Sequence, residues 1–542
     1  MGGYPNNASR IVSGMEASLG FRDTSTANRV ALDAVQAAES DGCVFSIRLQ
    51  GFPVWWFVRF RVHEVLARKL LQGAHGAGHS WSPPMSLDSM LTTIGRVTTG
   101  HHRMSTSRTS NPIMFFCGSN GFGSTPSTSD VSSNHRLFGE IYGRLPVDKR
   151  VFIEKPTDKM SDRHTLKHHS EAVFWDWALA LCALRQGLAT PPKVEGLAQF
   201  KRAMAGFRSF PVDKQLFESV VLEELHLRSR KIAIQLEAAR MVLDRFQPAL
   251  VFETASYDSA SVAVNLIARS SGAPVVEMQH GVLYPDHPGY SACTPPRVDI
   301  VRPIPDKIFV YGEWFKDSLE LSSQLYTGAV VEVVGSPRLS NYKNTVLLRD
   351  RARVREIARS RLGVGPESLL VIATTQPIVS TRIAQFLEQA VRLMPASCYL
   401  CVKIHPGEMS HMRDTYGRLS EHPRVRIITD ELSDLYDLLV ASDIHTSVCS
   451  TVVLEAMALG TPNILIDMDS PLSMADLVEP SSRQVVASPE SFVESVIALA
   501  RDTELRDRIV SAGFVDARRF FRDDVDAAEV VSKRLLQLSG LL

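Results

Sequence analysis

The chain has 542 residues, 44% hydrophobic and 22% charged, a balance that excludes a disordered tract or a coiled coil and fits a folded globular protein. Lys+Arg and Asp+Glu both number 59, so no global basic field draws a nucleic acid or an anionic membrane, and any anion site is local. The seven cysteines are odd in number and widely scattered, which argues against a disulfide framework and suits a reducing cytoplasm.

The opening "MGGYPNNASRIVSG" has neither the apolar core nor the cleavage pattern of a secretory leader. Asn6 stands where the myristoylation pattern asks for Ser or Thr. No run reaches the ~18 apolar residues that a membrane helix needs, so a cytoplasmic protein is expected. Segment 51–71, "GFPVWWFVRFRVHEVLARKLL", sets aromatics beside Arg59, Arg61, Arg68 and Lys69. It reads as a core-packing strand or helix with solvated arginines; a helix lying on the inner face of the membrane is the open alternative. The stretches 73–84 and 98–112 read as loops. Their histidines (His75, His79, His101, His102) lack the cysteine or carboxylate spacing that closes a zinc site, so no metal is expected.

From residue 112 the pattern changes. "IMFFCGSNGFG" and "RVFIEKP" are continuous apolar runs ending in loops, the mark of buried parallel strands. The Gly-rich "GSNGFGS", 118–124, is a GxxGxG loop and not a dinucleotide fingerprint. Helical spacing governs "EAVFWDWALALCALRQ" and "VVLEELHLRSRKIAIQLEAARMVLDRF". Strand and helix then alternate through "ALVFETAS", "DSASVAVNLIARSSG", "APVVEMQHG", "DKIFVYGE" and "VVEVVGSPRL". A basic helix, "RDRARVREIARSRLG", reads as a surface connector. The last third repeats the theme with "SLLVIATTQ", "CYLCVKIHPGE", "VRIITD", "IHTSV" and "PNILIDM" as strands and a helical tail from ~489. Cys398 and Cys401 form a C-x-x-C inside a strand, where their spacing turns them to opposite faces, against a metal or redox pair.

This order predicts an α/β chain of two Rossmann-like lobes facing a central cleft, with ligands at the carboxyl ends of the strands. The expected division is an N-terminal elaboration (1–110), a first Rossmann-like lobe with a helical insertion (111–340) and a second Rossmann-like lobe (341–542). In the second lobe Pro406 holds His405 extended at a strand end, and an imidazole there can donate to an anionic oxygen. Further on, Ser447, Ser450 and Thr451 precede a helix whose free N–H groups suit a phosphate. Glu455, one turn later, is placed to bond a ribose hydroxyl. Lys403 ends the His405 strand, and Thr375 and Gln376 end the lobe's first strand. In the first lobe Glu253 and Asp258 follow one strand and Gln279-His280-Gly281 the next, all on one edge. Glu253 and His280 are the candidate general bases of this edge. Glu313 closes "YGE" near the lobe boundary.

"KIHPGE" followed by "SVCSTVVLEAMALGTP" resembles the donor lobe of bacterial GT-B glycosyltransferases, nearest the sialyltransferase, polysialyltransferase and capsule Kdo-transferase groups. The resemblance spans roughly 250–470 and implies that His405, Ser450 and Thr451 contact the donor phosphate. Those groups carry their acid before a glycine; "ETAS" lacks it, whereas "QHG" resembles a run in surface-polysaccharide enzymes. The implied activity is an inverting, metal-independent transfer of a nonulosonic acid or Kdo from a CMP-linked donor to a glycan or protein hydroxyl, with no cofactor. The related motifs of UDP-sugar 2-epimerases and CDP-glycerol phosphotransferases are the alternatives.

Overall fold

The computed structural model describes residues 24–72, 111–118, 135, 137–155, 172–187, 192–293, 302–326, 328, 330–429, 434–470 and 473–542. The four histidines of 75–102 and the glycines of 119–124 lie outside them. In chain order the strands are β1 (Arg48–Leu49), β2 (Phe52–Pro53), β3 (Ile113–Gly118), β4 (Arg150–Lys155), β5 (Ala172–Phe174), β6 (Val194–Glu195), β7 (Leu250–Glu253), β8 (Val275–Met278), β9 (Lys307–Val310), β10 (Val331–Val333), β11 (Leu369–Thr374), β12 (Cys398–Lys403), β13 (Val425–Ile428), β14 (Ile444–Ser447), β15 (Asn463–Ile466) and β16 (Arg483–Val486).

The long apolar runs pair as expected. The first lobe is a parallel sheet in the order β10-β9-β8-β7-β3-β4-β5 and the second a parallel sheet in the order β13-β12-β11-β14-β15-β16, while β2-β1-β6 forms a small antiparallel ribbon. The chain is therefore α/β with two Rossmann-like lobes. Strands such as β3, buried along nearly their whole length, are what a sheet covered on both faces requires. Part of one expected helix is different: Ala172–Phe174 joins the sheet as β5 and the helix starts at Trp175, because Val173 and Phe174 complete the edge beside Ile153 and Glu154.

Helices α1 (Thr24–Asp41) and α2 (Trp55–Gln72) pack into the first lobe. Ala31, Val35, Trp55, Val58 and Leu66 share one core with Phe116, Ile153 and Val251. The aromatic segment is thus a core helix, and its tryptophans leave no apolar face for a bilayer. No helix among the described residues is long and apolar enough to cross a membrane. Arg59, expected in solvent, is 4% exposed; it pairs with Glu39 of α1 and donates to the Ser291 carbonyl at 2.7 Å. A buried guanidinium needs such partners.

The basic helix Leu348–Leu362 is also more than a connector. Arg355 donates to the Ala441 and Ser442 carbonyls at 2.9 and 3.1 Å, and Arg359 to Ala441 and Gly365 at 2.9 and 3.0 Å. They satisfy carbonyls left open at the end of helix Leu435–Ala441, where cations are favoured. The chain finally returns to the first lobe: Ala528, Val531 and Leu535 of the last helix pack with Phe115, Phe138 and Phe252.

Candidate functional site

The order β12-β11-β14 at the centre of the second sheet brings three separate segments to one edge: "KIHPGE" after β12, "TQP" after β11 and "VCST" after β14. His405 leaves its strand extended, with φ −66° and ψ 138°, and Pro406 opens a 3-10 turn. The His405 backbone N–H donates to the Thr375 hydroxyl at 3.0 Å, and its Nδ1 accepts from the Gly407 N–H at 3.0 Å. An imidazole accepting at Nδ1 carries its neutral-form proton on Nε2.

Several expected ligand contacts are braces instead. The Thr375 hydroxyl, buried, donates to Glu408 while accepting from His405; Glu408 also accepts from Tyr416 at 2.6 Å. Ser447 is fully buried and donates to the Thr374 carbonyl at 2.8 Å. Beneath them His445 bridges Thr374 Oγ1 at 2.9 Å and Asn463 Oδ1 at 2.6 Å, and burial pushes its pKa down to about 4. Lys403, 6% exposed, ends β12 inside the sheet. Gln376, two residues beyond β11, is half-buried and extended.

Ser450 Oγ accepts from the Val452 N–H at 3.3 Å, whereas Thr451 makes no side-chain cap. The helix they open, Val452–Ala458, has seven residues, so its dipole is weaker than the sequence pattern suggested and the hydroxyls matter more. Glu455, half-buried, accepts from Tyr436 at 2.6 Å through Oε1. Burial raises its pKa while Arg338 lowers it. The Arg338 guanidinium lies 4.2 Å from the Tyr436 ring centre and pairs with Asp434 at 2.9 Å.

On the first sheet the order β8-β7-β3-β4 gathers the other expected group. Asp258 Oδ1 caps helix Ser259–Ser270 through the Ala260 and Ser261 N–H groups at 2.9 Å each, and Oδ2 pairs with Lys155 at 2.6 Å. Lys155 also donates to Ser261 Oγ at 2.7 Å and the Thr254 carbonyl at 3.2 Å. Glu253 is 0% exposed and accepts from Asn265 at 2.6 Å. Burial pushes it up to about 8, against the pull of Lys155. Gln279 is another brace, accepting from the Tyr311 N–H at 2.7 Å and donating to the Gly281 carbonyl at 2.8 Å. His280, half-buried beside Gly281, has Nε2 3.4 Å from the Tyr257 hydroxyl and no partner for Nδ1 among the described residues. Desolvation and then Lys155 push it down to about 4, leaving a neutral ring. Glu313 does not join the cluster: its side chain is 70% exposed and faces Lys316 at 3.9 Å.

The two edges face each other. Tyr284, just past His280, is raised to about 12 by burial, then Asp286, then Cys449 of the second lobe. Tyr311, just past β9, is pushed up by burial and then by Glu455 of the second lobe. Asp469, after β15, accepts from the Thr24 N–H and hydroxyl at 3.1 and 2.7 Å. A cavity of about 30 Å³ lined by Trp56, Arg59, Ser256, Tyr257, Gly289 and Tyr326 lies behind this edge, within the first lobe.

No family profile and no curated protein matches the sequence. Among solved structures the chain is similar to Anabaena Alr3699/HepE in complex with UDP, with 13% identity and a TM-score of 0.41 over 79% of this chain and 100% of that one. It is similar to S. aureus MnaA with UDP, at 14% identity and 0.48 over 79% and 98%. A UDP-GlcNAc 2-epimerase from Neisseria meningitidis bound to UDP-GlcNAc gives 12% identity and 0.45 over 79% and 100%.

Sequence reasoning missed Lys155, Glu277, Tyr257 and Arg338. Lys155 could have been found, since a lysine closing the parallel run "RVFIEK" lands on the same edge as Asp258. Glu277, inside "VVEM", gives no signal except that a lone acid in an apolar strand needs a reason. Arg338, beyond a Gly-Ser-Pro turn, carries no local mark.

Proposed function

We propose that the chain is an enzyme acting on a nucleotide sugar, with the nucleotide phosphate at the second lobe's strand ends and the sugar beside the titratable cluster of the first. What supports this is the strand order β12-β11-β14, which brings the segments carrying His405 and Ser450-Thr451 to one edge of the second sheet on either side of β11, together with the reach of Cys449 in that edge to Tyr284, four residues past His280. In this reading His405 Nε2–H and the two hydroxyls bind phosphate, with Pro406 setting the ring's direction and Thr375 its height. Gln376 lies at the rim. Positioned donors count most where charge gathers on a departing phosphate. No cofactor or metal is needed for this reading.

Two reaction classes share this geometry. Inverting C2 of a UDP-sugar breaks and remakes a C–H bond, so it requires a proton acceptor and a proton donor. Glu253, Glu277 and Lys155, buried at this edge, are groups able to hold and pass a proton, and we place this class first. Transfer of a CMP-linked sugar to a glycan or protein hydroxyl is the second reading, supported by the spacing of His405-Pro406 and Ser450-Thr451.

A thermal-shift panel of UDP, CMP, CDP and GDP tests both. Stabilisation by UDP is expected for the first class and by CMP for the second; no response to any nucleotide sinks both. His405→Ala removes a hydrogen bond to a charged group, about 1.5–3 kcal/mol, and should weaken the responding nucleotide roughly tenfold to a hundredfold. Unchanged affinity in that variant would remove His405 from the site.

A further inference from the structure

Register places Ile153 of β4, Phe116 of β3, Glu253 of β7, Glu277 of β8 and Ile308 of β9 on one rung of the first sheet. Directly paired residues of parallel strands point to the same face. Two carboxyl groups therefore stand side by side between Phe116 and Ile308, and they are 0% and 1% exposed. Glu253 Oε1 has the Asn265 amide and Glu277 Oε1 has the Tyr290 hydroxyl. The Oε2 atom of each has no hydrogen-bond partner among the described residues, although the Ser261 and Ser256 hydroxyls are near enough to act on them.

We propose that Glu253 and Glu277 share one proton and act as a single carboxyl–carboxylate pair beneath the first lobe's cleft edge. Two adjacent buried carboxylates cannot both ionise without a cation between them. Lys155 is the cation that pulls both acids down, against burial, but it makes no hydrogen bond to either. The three Lys155 contacts go to Asp258, Ser261 and Thr254, so that lysine neutralises Asp258. His280 is a neutral ring. Tyr257, Tyr290 and Tyr326 are all pushed upward by burial and stay protonated. Both acids are raised from 4.5, burial first, and Glu277 adds to the rise at Glu253. The pair titrates as a unit, not as two independent sites.

The consequence is local. Thr254–Asp258 and Gln279–Gly281 continue directly from these strands, so the pair holds one negative charge under His280, not two. Deprotonating it would raise the proton affinity of that imidazole. The inference does not rest on the nucleotide-sugar reading, because its readout is a protonation state and not turnover.

Infrared spectroscopy of the full chain tests it. At pH 7 nearly all carboxyls are ionised, so a protonated carboxyl band stands apart. The wild type should show such a band, and Glu253→Gln should lose it. In Glu277→Gln the Glu253 carboxyl should bind its proton at least tenfold more weakly. Glutamine matches the protonated carboxyl in shape, so both variants should fold. Stability gives a second measurement: the native pair holds a proton that the unfolded chain releases above 4.5, so the pair's contribution is greatest below 4.5 and is lost as pH rises through about 8. That fall should vanish in Glu253→Gln. A wild type without the band at pH 7 overturns the proposal whatever the variants do, and so does a Glu277→Gln variant whose Glu253 titrates as before.

Discussion

Thr375 shows how a residue can matter to a site without touching a ligand. Its hydroxyl accepts from the His405 N–H at 3.0 Å and donates to Glu408. Both partners lose it in Thr375→Val, which keeps the shape and removes the oxygen. An unmet buried polar group costs about 1–3 kcal/mol, so the variant should melt lower. The same change should loosen His405. At a temperature where all variants are folded, nucleotide affinity should fall in Thr375→Val and recover in Thr375→Ser. Equal affinity in the two would make Thr375 a stability residue alone. The position of Thr375 at a strand end was legible in "IATTQP", but its direction was not. Alternation along a six-residue strand decides which of two neighbouring threonines faces the turn, and that depends on the register with β12.

At the scale of elements, apolar runs ending in small or polar residues marked nearly every strand, because a doubly covered parallel sheet demands them. Legibility failed where an element's partner is far away in sequence. "RDRARVREIARSRLG" looks solvated, with mean hydropathy far below that of its neighbours, yet its arginines alternate between solvent and the end of helix Leu435–Ala441. Arg59 looks like a surface cation until Glu39 of α1 is beside it. Arg359 is 4% exposed and also lies 3.4 Å from Asp443, whose carboxylate accepts from the Leu370 N–H at 2.8 Å. Arg355 still serves Ala441 and Asp443 in Arg359→Ala, but the Gly365, Pro366 and Ser368 carbonyls lose their donor, and unmet buried polar groups cost about 1–3 kcal/mol. Exposed Arg353, six residues earlier on the same helix, should tolerate alanine within about 0.5 kcal/mol. Urea unfolding of the two variants measures the contrast, and equal midpoints would return the helix to a mere connector.

For the whole molecule, the lobes are not strung in sequence order. Asp469 of the second lobe holds the start of α1, whose body lies in the first lobe's core. Helix Ala527–Leu538 leaves the second lobe and covers the face of the first sheet opposite α1 and α2. Nothing in the helical tail announces this, since an amphipathic stripe says that a face is buried but not against what. The contacts do: Leu535 and Val531 meet Phe115 and Phe252, Arg534 pairs with Glu332 of β10 at 2.9 Å, and Asp526 with Arg144 at 2.8 Å. Leu535 is 0% exposed, and Leu535→Ala in such a core costs about 2–5 kcal/mol. The loss should be read where the packing is, not where the mutation lies in sequence. Hydrogen exchange should quicken in β3 and β7 of the first sheet while β11 and β12 of the second keep their protection. If the quickening stays within residues 527–538, or appears in the second sheet first, the last helix belongs energetically to the lobe that precedes it, and the first sheet's outer face is held by its own residues.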